Sequence, residues 1–128
     1  MNFFDSFNFD PRIAAGVQAL GYHEPTPIQL QAIPPVQQGR DVMGLAHTGT
    51  GKTAVFVLPI LQRLLEGPRG RVRALIIAPT RELAEQIHEV IGALGQRTRA
   101  RSLTVYGGVG MNPQVQRLRD GVEIVVAC

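Results

Sequence analysis

The stretch of sequence that decides the fold is Ala46-His47-Thr48-Gly49-Thr50-Gly51-Lys52-Thr53. It follows a short apolar run, residues 41–46, and precedes a largely apolar helical pattern that starts at Lys52. Its glycines let the backbone curl so that successive N–H groups face a phosphate, and the N-terminus of the following helix adds its dipole. Placed between a strand and a helix, this pattern predicts a phosphate-binding loop, although the strict pattern begins with glycine rather than Ala46.

Lys52 is the only lysine in the 128 residues, and the other twelve basic residues are arginines. Lysine is a compact point charge on a slim stem, whereas the planar fork of arginine needs more room. In such a loop we expect the Lys52 ammonium to reach the β- and γ-phosphates of a nucleotide and the Thr53 hydroxyl to ligate Mg²⁺. We therefore predict that Lys52 and Thr53 are the catalytic residues and that residues 46–53 bind the nucleotide.

The composition allows one modest globular core. The chain is 45% hydrophobic with a formal charge of +3, which is compatible with nucleic acid as a partner but does not establish it. Its single cysteine, Cys128, excludes a disulfide within the chain. No apolar run reaches the roughly 18 residues of a membrane span, and the N-terminus shows no signal pattern. We expect a cytoplasmic protein without a membrane segment.

Helical and strand patterns alternate along the chain. Asp10-Pro11 and Thr26-Pro27 open two N-terminal helices, and Pro34-Pro35 should break or bend the second. Further helices are predicted at residues 52–66, with a kink near Pro59, at 80–94, and from a cap at Asn112-Pro113 to Gly121. Strands are predicted at 41–46, 74–78, 102–106 and 122–127. Continuous apolar strands between helices predict an α/β fold of the P-loop NTPase class, with a parallel sheet and helices on both faces.

Four segments resemble the motifs of DEAD-box RNA helicases, in the same order and spacing across essentially the whole chain. Residues 21–29 resemble the Q motif, 46–53 motif I, 79–84 motif Ia, and Gly107-Gly108 the GG motif. The resemblance implies a RecA-like domain in residues 39–128, preceded by a helical extension in residues 1–38 that carries the Q motif. It also implies ATP and Mg²⁺ as cofactors, RNA as a second ligand, and hydrolysis of ATP coupled to RNA duplex unwinding.

The resemblance assigns Gln29, Phe4 and Tyr22 to the adenine base. A carboxamide both donates and accepts, so Gln29 can bind the N6 amine and N7 of adenine, whereas guanine presents two acceptors there. Phe4 lies where the family places an aromatic residue against the base. Without the resemblance, core packing is the ordinary interpretation of Phe4.

The resemblance assigns RNA binding to residues that follow strand ends, namely Pro79, Thr80, Arg81, Gly107 and Gly108. Contacts to phosphates and sugars would make this binding sequence-independent and salt-sensitive. The alternative for Arg81 is a surface pair with Glu85 at i,i+4. Two arginine groups, at positions 69, 71, 73 and 97, 99, 101, precede strands, so we interpret them as a solubilising surface away from the site.

No apolar run of the sequence ends in an acidic residue that could hold Mg²⁺ beside the loop. The resemblance places that acidic motif, and a second RecA-like domain, after Cys128. We expect a domain incomplete at its C-terminus that binds adenine nucleotides weakly, hydrolyses essentially none alone, and is marginally stable or self-associates through an exposed sheet edge. His47 of the loop departs from the family, which more often has glutamine at this position.

Two alternative functions remain open at this stage. A kinase or GTPase-like P-loop domain would give the residues upstream of the loop no part in base recognition. Competition between ATP and GTP tests this alternative, because equal binding would contradict the assignment of Gln29 to adenine. A non-catalytic nucleic-acid-binding module would retain the loop as a vestige, so that loss of Lys52 would leave nucleotide binding unchanged.

Overall fold

The computed structural model describes residues 3–128. In this part of the chain, three strands and five α-helices follow a short 3-10 helix at Phe3–Phe7. The helices are α1 (Pro11–Ala19), α2 (Pro27–Gln37), α3 (Lys52–Leu64), α4 (Arg81–Leu94) and α5 (Met111–Asp120). The strands are β1 (Ala74–Ile77), β2 (Ser102–Val105) and β3 (Ile124–Ala127).

The three strands form a parallel sheet in the order β1-β3-β2, so the last strand lies in the middle. Ala74 of β1 and Ser102 of β2 both stand opposite Ile124. The side chains of β3 are buried on both faces, which is why its sequence is continuously apolar. One face packs against α3 and α4, with α1 behind them, and α5 lies against β2. This arrangement confirms the predicted α/β fold.

Helix α2 runs through both of its internal prolines, so it does not break at Pro34-Pro35, where the sequence predicted either a break or a bend. The hydroxyl of Thr26 caps its first turn, and Pro27 occupies the first helical position. Each internal proline removes one N–H donor from the helix. Their carbonyls still accept, from Gln38 at 3.1 Å and from Arg40 at 3.1 Å, so the last turn closes normally.

The strand predicted at residues 41–46 is absent, and the sheet has three strands rather than four. A strand exists only where a neighbour completes its hydrogen-bond ladder. Within residues 3–128 no strand lies beside this segment. Its apolar side chains are exposed, to 89% for Met43 and 86% for Leu45. The sequence pattern identified apolar residues but not the partner that would pair with them.

Helix α5 begins at Met111, with Gly110 as its N-cap, so the cap predicted at Asn112-Pro113 was wrong. Pro113 instead lies within the first turn. It is tolerated there because the first N–H groups of a helix have no intrahelical partner.

Strand β1 is an edge of the sheet, and two of its apolar side chains face outward. Leu75 is 62% exposed and Ile77 is 77% exposed. An open apolar edge is a template for pairing with another chain. The self-association expected from the sequence stays a prediction, and this edge is where we expect it to occur.

Glu123 fastens together the segments that lead into the three strands. Its fully buried carboxylate accepts hydrogen bonds from the Gly70 N–H at 2.8 Å, the Arg101 N–H at 2.9 Å and the Arg101 guanidinium at 3.1 Å. Burial by itself raises the pKa of Glu123. The hydrogen bonds and the charge of Arg101 outweigh burial and hold that pKa below its ordinary value of 4.5.

Because the pKa of Glu123 is lower in the folded chain than in the unfolded chain, its stabilisation is complete above about pH 5 and is lost as the pH falls below about 4.5. We expect Glu123→Gln to lower the free energy of unfolding at neutral pH by about 2–3 kcal/mol and to flatten its decline in acid. Urea unfolding at neutral and acidic pH measures both effects. Glu89→Gln, on the exposed face of α4, is the control, and an equal loss in both variants would contradict the assignment.

Candidate functional site

The predicted phosphate loop closes on itself through its own polar groups. Gly49 and Gly51 have φ values of +83° and +82°, in the left-handed region that favours glycine. The Thr50 hydroxyl donates to the His47 carbonyl at 2.6 Å, and the Lys52 ammonium donates to the Ala46 carbonyl at 2.6 Å. The ammonium is thus held at the mouth of the loop by a neutral acceptor that a phosphate can replace.

Helix α3 starts directly after the loop, and its N-terminus has no side-chain cap because the N-cap residue is Gly51. The first N–H groups of a helix lack intrahelical partners, and the helix dipole makes this end positive. The exposed Lys52 side chain adds a full positive charge. The loop and helix therefore form a site suited to an anion.

Gln29 connects the N-terminal segment to this loop. Its amide nitrogen donates to the Gly51 carbonyl at 3.1 Å, and its amide oxygen accepts from the Thr26 N–H at 2.9 Å. The residue is 2% exposed, and a side chain at position 51 would collide with its amide nitrogen. A carboxamide has two donors and two acceptor lone pairs, so one of each remains.

The sequence patterns did not predict that Gln29 supports the loop. Thr26 and Gln29 have the spacing of a capping box, and this signal could have revealed the half of the network that ends at Thr26. The hydrogen bond from Gln29 to Gly51 joins residues twenty-two positions apart, so no local sequence pattern predicts it.

A cavity of about 570 Å³ lies between the N-terminal segment and the loop. Phe4, Tyr22, Gln29 and Gly51 line it, so the structure brings the three predicted base-binding residues together beside the phosphate loop. Phe4 is only 5% exposed. Its ring contacts Phe7 at 5.8 Å and Tyr22 at 6.1 Å between centroids. Phe4 is therefore both a core residue and part of the cavity wall.

A second cavity of about 720 Å³ opens on the other side of the loop, between Lys52-Thr53 and the elements β1 and α4. Thr53 offers a hydroxyl oxygen near this opening. The structure groups no three His, Cys, Asp or Glu side chains that could hold a metal ion anywhere in residues 3–128. Since Mg²⁺ is usually bound through carboxylates together with substrate phosphates, Thr53 supplies only part of such a site.

The predicted RNA-binding residues form a second cluster at the carboxyl edge of the sheet. Arg81 donates to the Gly107 carbonyl, and a side chain at Gly108, where φ is +80°, would collide with its guanidinium. Thr80 caps α4, its hydroxyl accepting from the Leu83 N–H at 3.1 Å. The segments after β1 and β2 are thus joined through Arg81, while the neighbouring Pro79 is exposed.

Arg81 does not form the surface pair with Glu85 that was its alternative interpretation. Its guanidinium carbon lies 5.0 Å from the centre of the Tyr106 ring. The Tyr106 hydroxyl donates to the Glu85 carboxylate at 3.1 Å, and this hydrogen bond to an anion raises the pKa of Tyr106 above its ordinary value. Tyr106 therefore orients Arg81 through a cation–π contact, a role that the sequence motifs did not indicate.

Comparison with known proteins decides the family. The DEAD/DEAH box helicase model matches residues 26–128. The chain belongs to this family. It is 46% identical to DEAD-box ATP-dependent RNA helicase 30 of Arabidopsis thaliana and 45% identical to the ATP-dependent RNA helicase eIF4A of Candida albicans, over 99% and 96% of its length.

A solved structure of the same family has the same fold. The RNA-helicase Prp28 of Chaetomium thermophilum, crystallised with ADP, matches with a TM-score of 0.88 and 40% identity over 99% of the chain. The fold is therefore RecA-like, as in DEAD-box helicases. The chain spans 22% of the Arabidopsis protein, 31% of the Candida protein and 32% of the Prp28 chain. In residues 3–128 no helix is long and apolar enough to cross a membrane.

The contact between Gln29 and Gly51 predicts unequal effects of two similar substitutions. Gly49→Ala and Gly51→Ala impose the same left-handed strain, about 1–2 kcal/mol, but only the second forces Gln29 from its position. We expect Gly51→Ala to lower the free energy of unfolding by about 1–3 kcal/mol more, because Gln29 is buried and loses a partner. Urea unfolding of both variants measures the difference, and equal losses would show that Gln29 does not support the loop.

Proposed function

We propose that the chain is the ATP-binding part of an ATP-dependent RNA helicase. One observation carries the proposal: the cavity lined by Phe4, Tyr22 and Gln29 opens beside a phosphate loop with Lys52 at the N-terminus of α3. A base-sized polar and aromatic pocket next to an anion site matches the two halves of a nucleotide. The family relatives named as ATP-dependent RNA helicases, and the ADP bound by Prp28, support the same function.

In this proposal residues 46–53 hold the triphosphate. The Lys52 ammonium leaves the Ala46 carbonyl for the β- and γ-phosphates, and the α3 N-terminus donates to the same oxygens. The Thr53 hydroxyl is one ligand of Mg²⁺, which neutralises charge on the phosphates when bound. The loop residues Ala46, His47, Thr48, Gly49, Thr50 and Gly51 supply backbone groups around the phosphates.

Gln29 and the two aromatic residues recognise the base. Gln29 retains one donor and one acceptor after its bonds to Gly51 and Thr26, which is the pair that the adenine edge requires. Because the same amide also holds the loop, base recognition and loop conformation are coupled through one side chain. Phe4 and Tyr22 provide the apolar wall against which the base packs.

RNA binds at the carboxyl edge of the sheet, on Pro79, Thr80, Arg81, Gly107 and Gly108. Arg81 meets a phosphate with the guanidinium nitrogens that Gly107 leaves free, and its orientation is preset by Tyr106. The absence of a side chain at Gly107 and Gly108 lets a nucleic-acid backbone approach closely.

The relatives, of which the chain covers less than a third, support further proposals. We propose RNA unwinding driven by ATP hydrolysis, the participation of a second RecA-like domain, the division into residues 1–38 and 39–128, and a cytoplasmic location. Hydrolytic inactivity of this chain alone also stays a prediction. Family membership sets aside the kinase or GTPase-like alternative.

Lys52→Ala should weaken ATP binding by about tenfold or more, because it removes the one charge that reaches the phosphates. Displacement of a fluorescent adenine nucleotide measures the affinity. Arg40→Ala, which removes an exposed cation outside the loop, is the matched control and should change little. GTP should compete about tenfold less well than ATP. Equal competition would refute the role of Gln29, and unchanged binding by Lys52→Ala would favour a vestigial loop.

Arg81→Gln should weaken binding of single-stranded RNA and lower the slope of log affinity against log salt concentration by about 0.7, the loss of one phosphate contact. Fluorescence anisotropy over a series of salt concentrations measures the slope. Arg12→Gln, which removes an exposed charge at the start of helix α1, should leave the slope unchanged. If both variants behave alike, Arg81 does not contact RNA.

A further inference from the structure

Eight of the twelve arginines lie in the segments that lead into the three strands. Because the strands are parallel, these segments meet at the amino edge of the sheet, opposite the edge that carries Arg81. The arginines stand at positions 69, 71 and 73 before β1, 97, 99 and 101 before β2, and 117 and 119 before β3. We call this group the amino-edge surface.

Contacts between the three segments make the amino-edge surface continuous. The Arg69 guanidinium donates to the Thr98 carbonyl at 2.6 Å, which joins the first segment to the second. Gly121 approaches Gly70 so closely that a side chain at position 121 would lie 2.8 Å from the Gly70 carbonyl. The buried carboxylate of Glu123 holds the first two segments to β3. The backbone segments that carry the arginines are therefore held in fixed positions relative to one another.

Most of the charge on this surface is not neutralised. Among the eight arginines of the amino-edge surface, as the structure describes them in residues 3–128, only Arg101 has an ionic partner, Glu123. Arg69 and Arg73 donate to backbone carbonyls, which orient the guanidinium without cancelling its charge. Among residues 3–128 the side chains of Arg71, Arg97 and Arg99 have no hydrogen bond or ion pair, and all three residues are exposed.

The net positive charge of these segments is larger than that of the whole chain. Eight arginines face three acidic residues, Glu66, Asp120 and Glu123, whereas the chain as a whole carries +3. Asp120 accepts from Gln116 at 2.9 Å, and Glu123 is buried. The exposed surface is therefore strongly positive, and the fold concentrates the charge there.

We propose that the amino-edge surface is a second binding surface for the RNA phosphate backbone, which extends the RNA path beyond Arg81. The inference rests on the proposed function, since it assigns RNA as the polyanion. The planar fork of arginine matches phosphate oxygens, and the surface offers only two large apolar side chains, Val72 and Leu118, each under half exposed. This composition fits a phosphate chain better than a lipid surface, which would require buried aromatic or aliphatic groups.

If this proposal holds, the affinity for RNA depends on the length of the RNA. Four-residue strands separate the two edges by about 13 Å, so an RNA must run past the sheet to reach both. A short oligonucleotide can occupy only one edge at a time. A longer one should bind more tightly and release more counterions, because it contacts arginines at both edges.

The test compares two double variants that remove the same charge. Arg71→Gln with Arg99→Gln alters the amino-edge surface, and Arg12→Gln with Arg40→Gln alters exposed arginines elsewhere. Each is titrated with single-stranded RNA of about 6 and about 20 nucleotides over a series of salt concentrations. For the longer RNA the first pair should lower the slope of log affinity against log salt by about 1.4 and weaken binding about tenfold, and the second pair should not. Circular dichroism confirms folding.

Each outcome is decisive. Equal losses in the two pairs would show a simple net-charge effect, and no loss in either would show a solubilising surface; both overturn the proposal. Binding of phosphatidylserine vesicles that is lost in the first pair, with RNA binding intact, would overturn it in favour of a membrane. Arg81→Gln in the same titration separates the two sites. If Arg81→Gln has no effect while the amino-edge pair does, the carboxyl-edge assignment fails and this one stands.

Discussion

The hydrogen bond from Gln29 to the Gly51 carbonyl is the contact on which the proposed nucleotide site depends. It ties the helix that follows the N-terminal segment to the loop that precedes α3, and the cavity lined by Phe4 and Tyr22 lies between them. Gly51 is restricted twice, by its left-handed backbone and by the absence of space beside it. The loop conformation is therefore not a property of residues 46–53 alone. It is completed by a side chain twenty-two positions earlier, which is also the side chain that we propose to bind the base.

The parallel sheet separates two kinds of chemistry. Segments that follow strands meet at the carboxyl edge, where Arg81 and Gly107 lie. Segments that precede strands meet at the amino edge, where the arginine-rich surface lies. Glu123 is central to the second edge, because its carboxylate and its backbone carbonyl bind groups on both neighbouring segments. A single buried acid thus holds together the segments that carry these arginines, although it neutralises the charge of Arg101 alone.

The sequence predicted the helices and the buried strands well, because their signals are local. The helix openings at Asp10 and Thr26 and the apolar runs of β1 and β3 depend on neighbouring residues only. The errors arose where the secondary structure of a segment depends on residues distant in sequence. Residues 41–46 have the composition of a strand but no neighbouring strand, and α2 continues past Pro34 because its carbonyls find acceptable donors beyond it. In the candidate site, the motifs identified Arg81 and Gln29. The contacts of Arg81 with Tyr106 and of Gln29 with Gly51 span more than twenty positions and leave no periodic signal.

These contacts explain why the chain has lysine at position 52 and arginine at its other basic positions. Two arginines use the several donors of the guanidinium: Arg81 lies over the Tyr106 ring while it donates to Gly107, and Arg69 donates to two carbonyls at once. An ammonium has neither a planar face to stack on a ring nor a fixed fork of donors. The position of Lys52 instead requires a small charged group. Its single nitrogen reaches the Ala46 carbonyl across a loop closed by Gly49 and Gly51. A guanidinium there would need two acceptors in one plane. The unique lysine therefore marks the one position in the described chain where a compact charge is held within a backbone loop, which is the geometry a phosphate group requires.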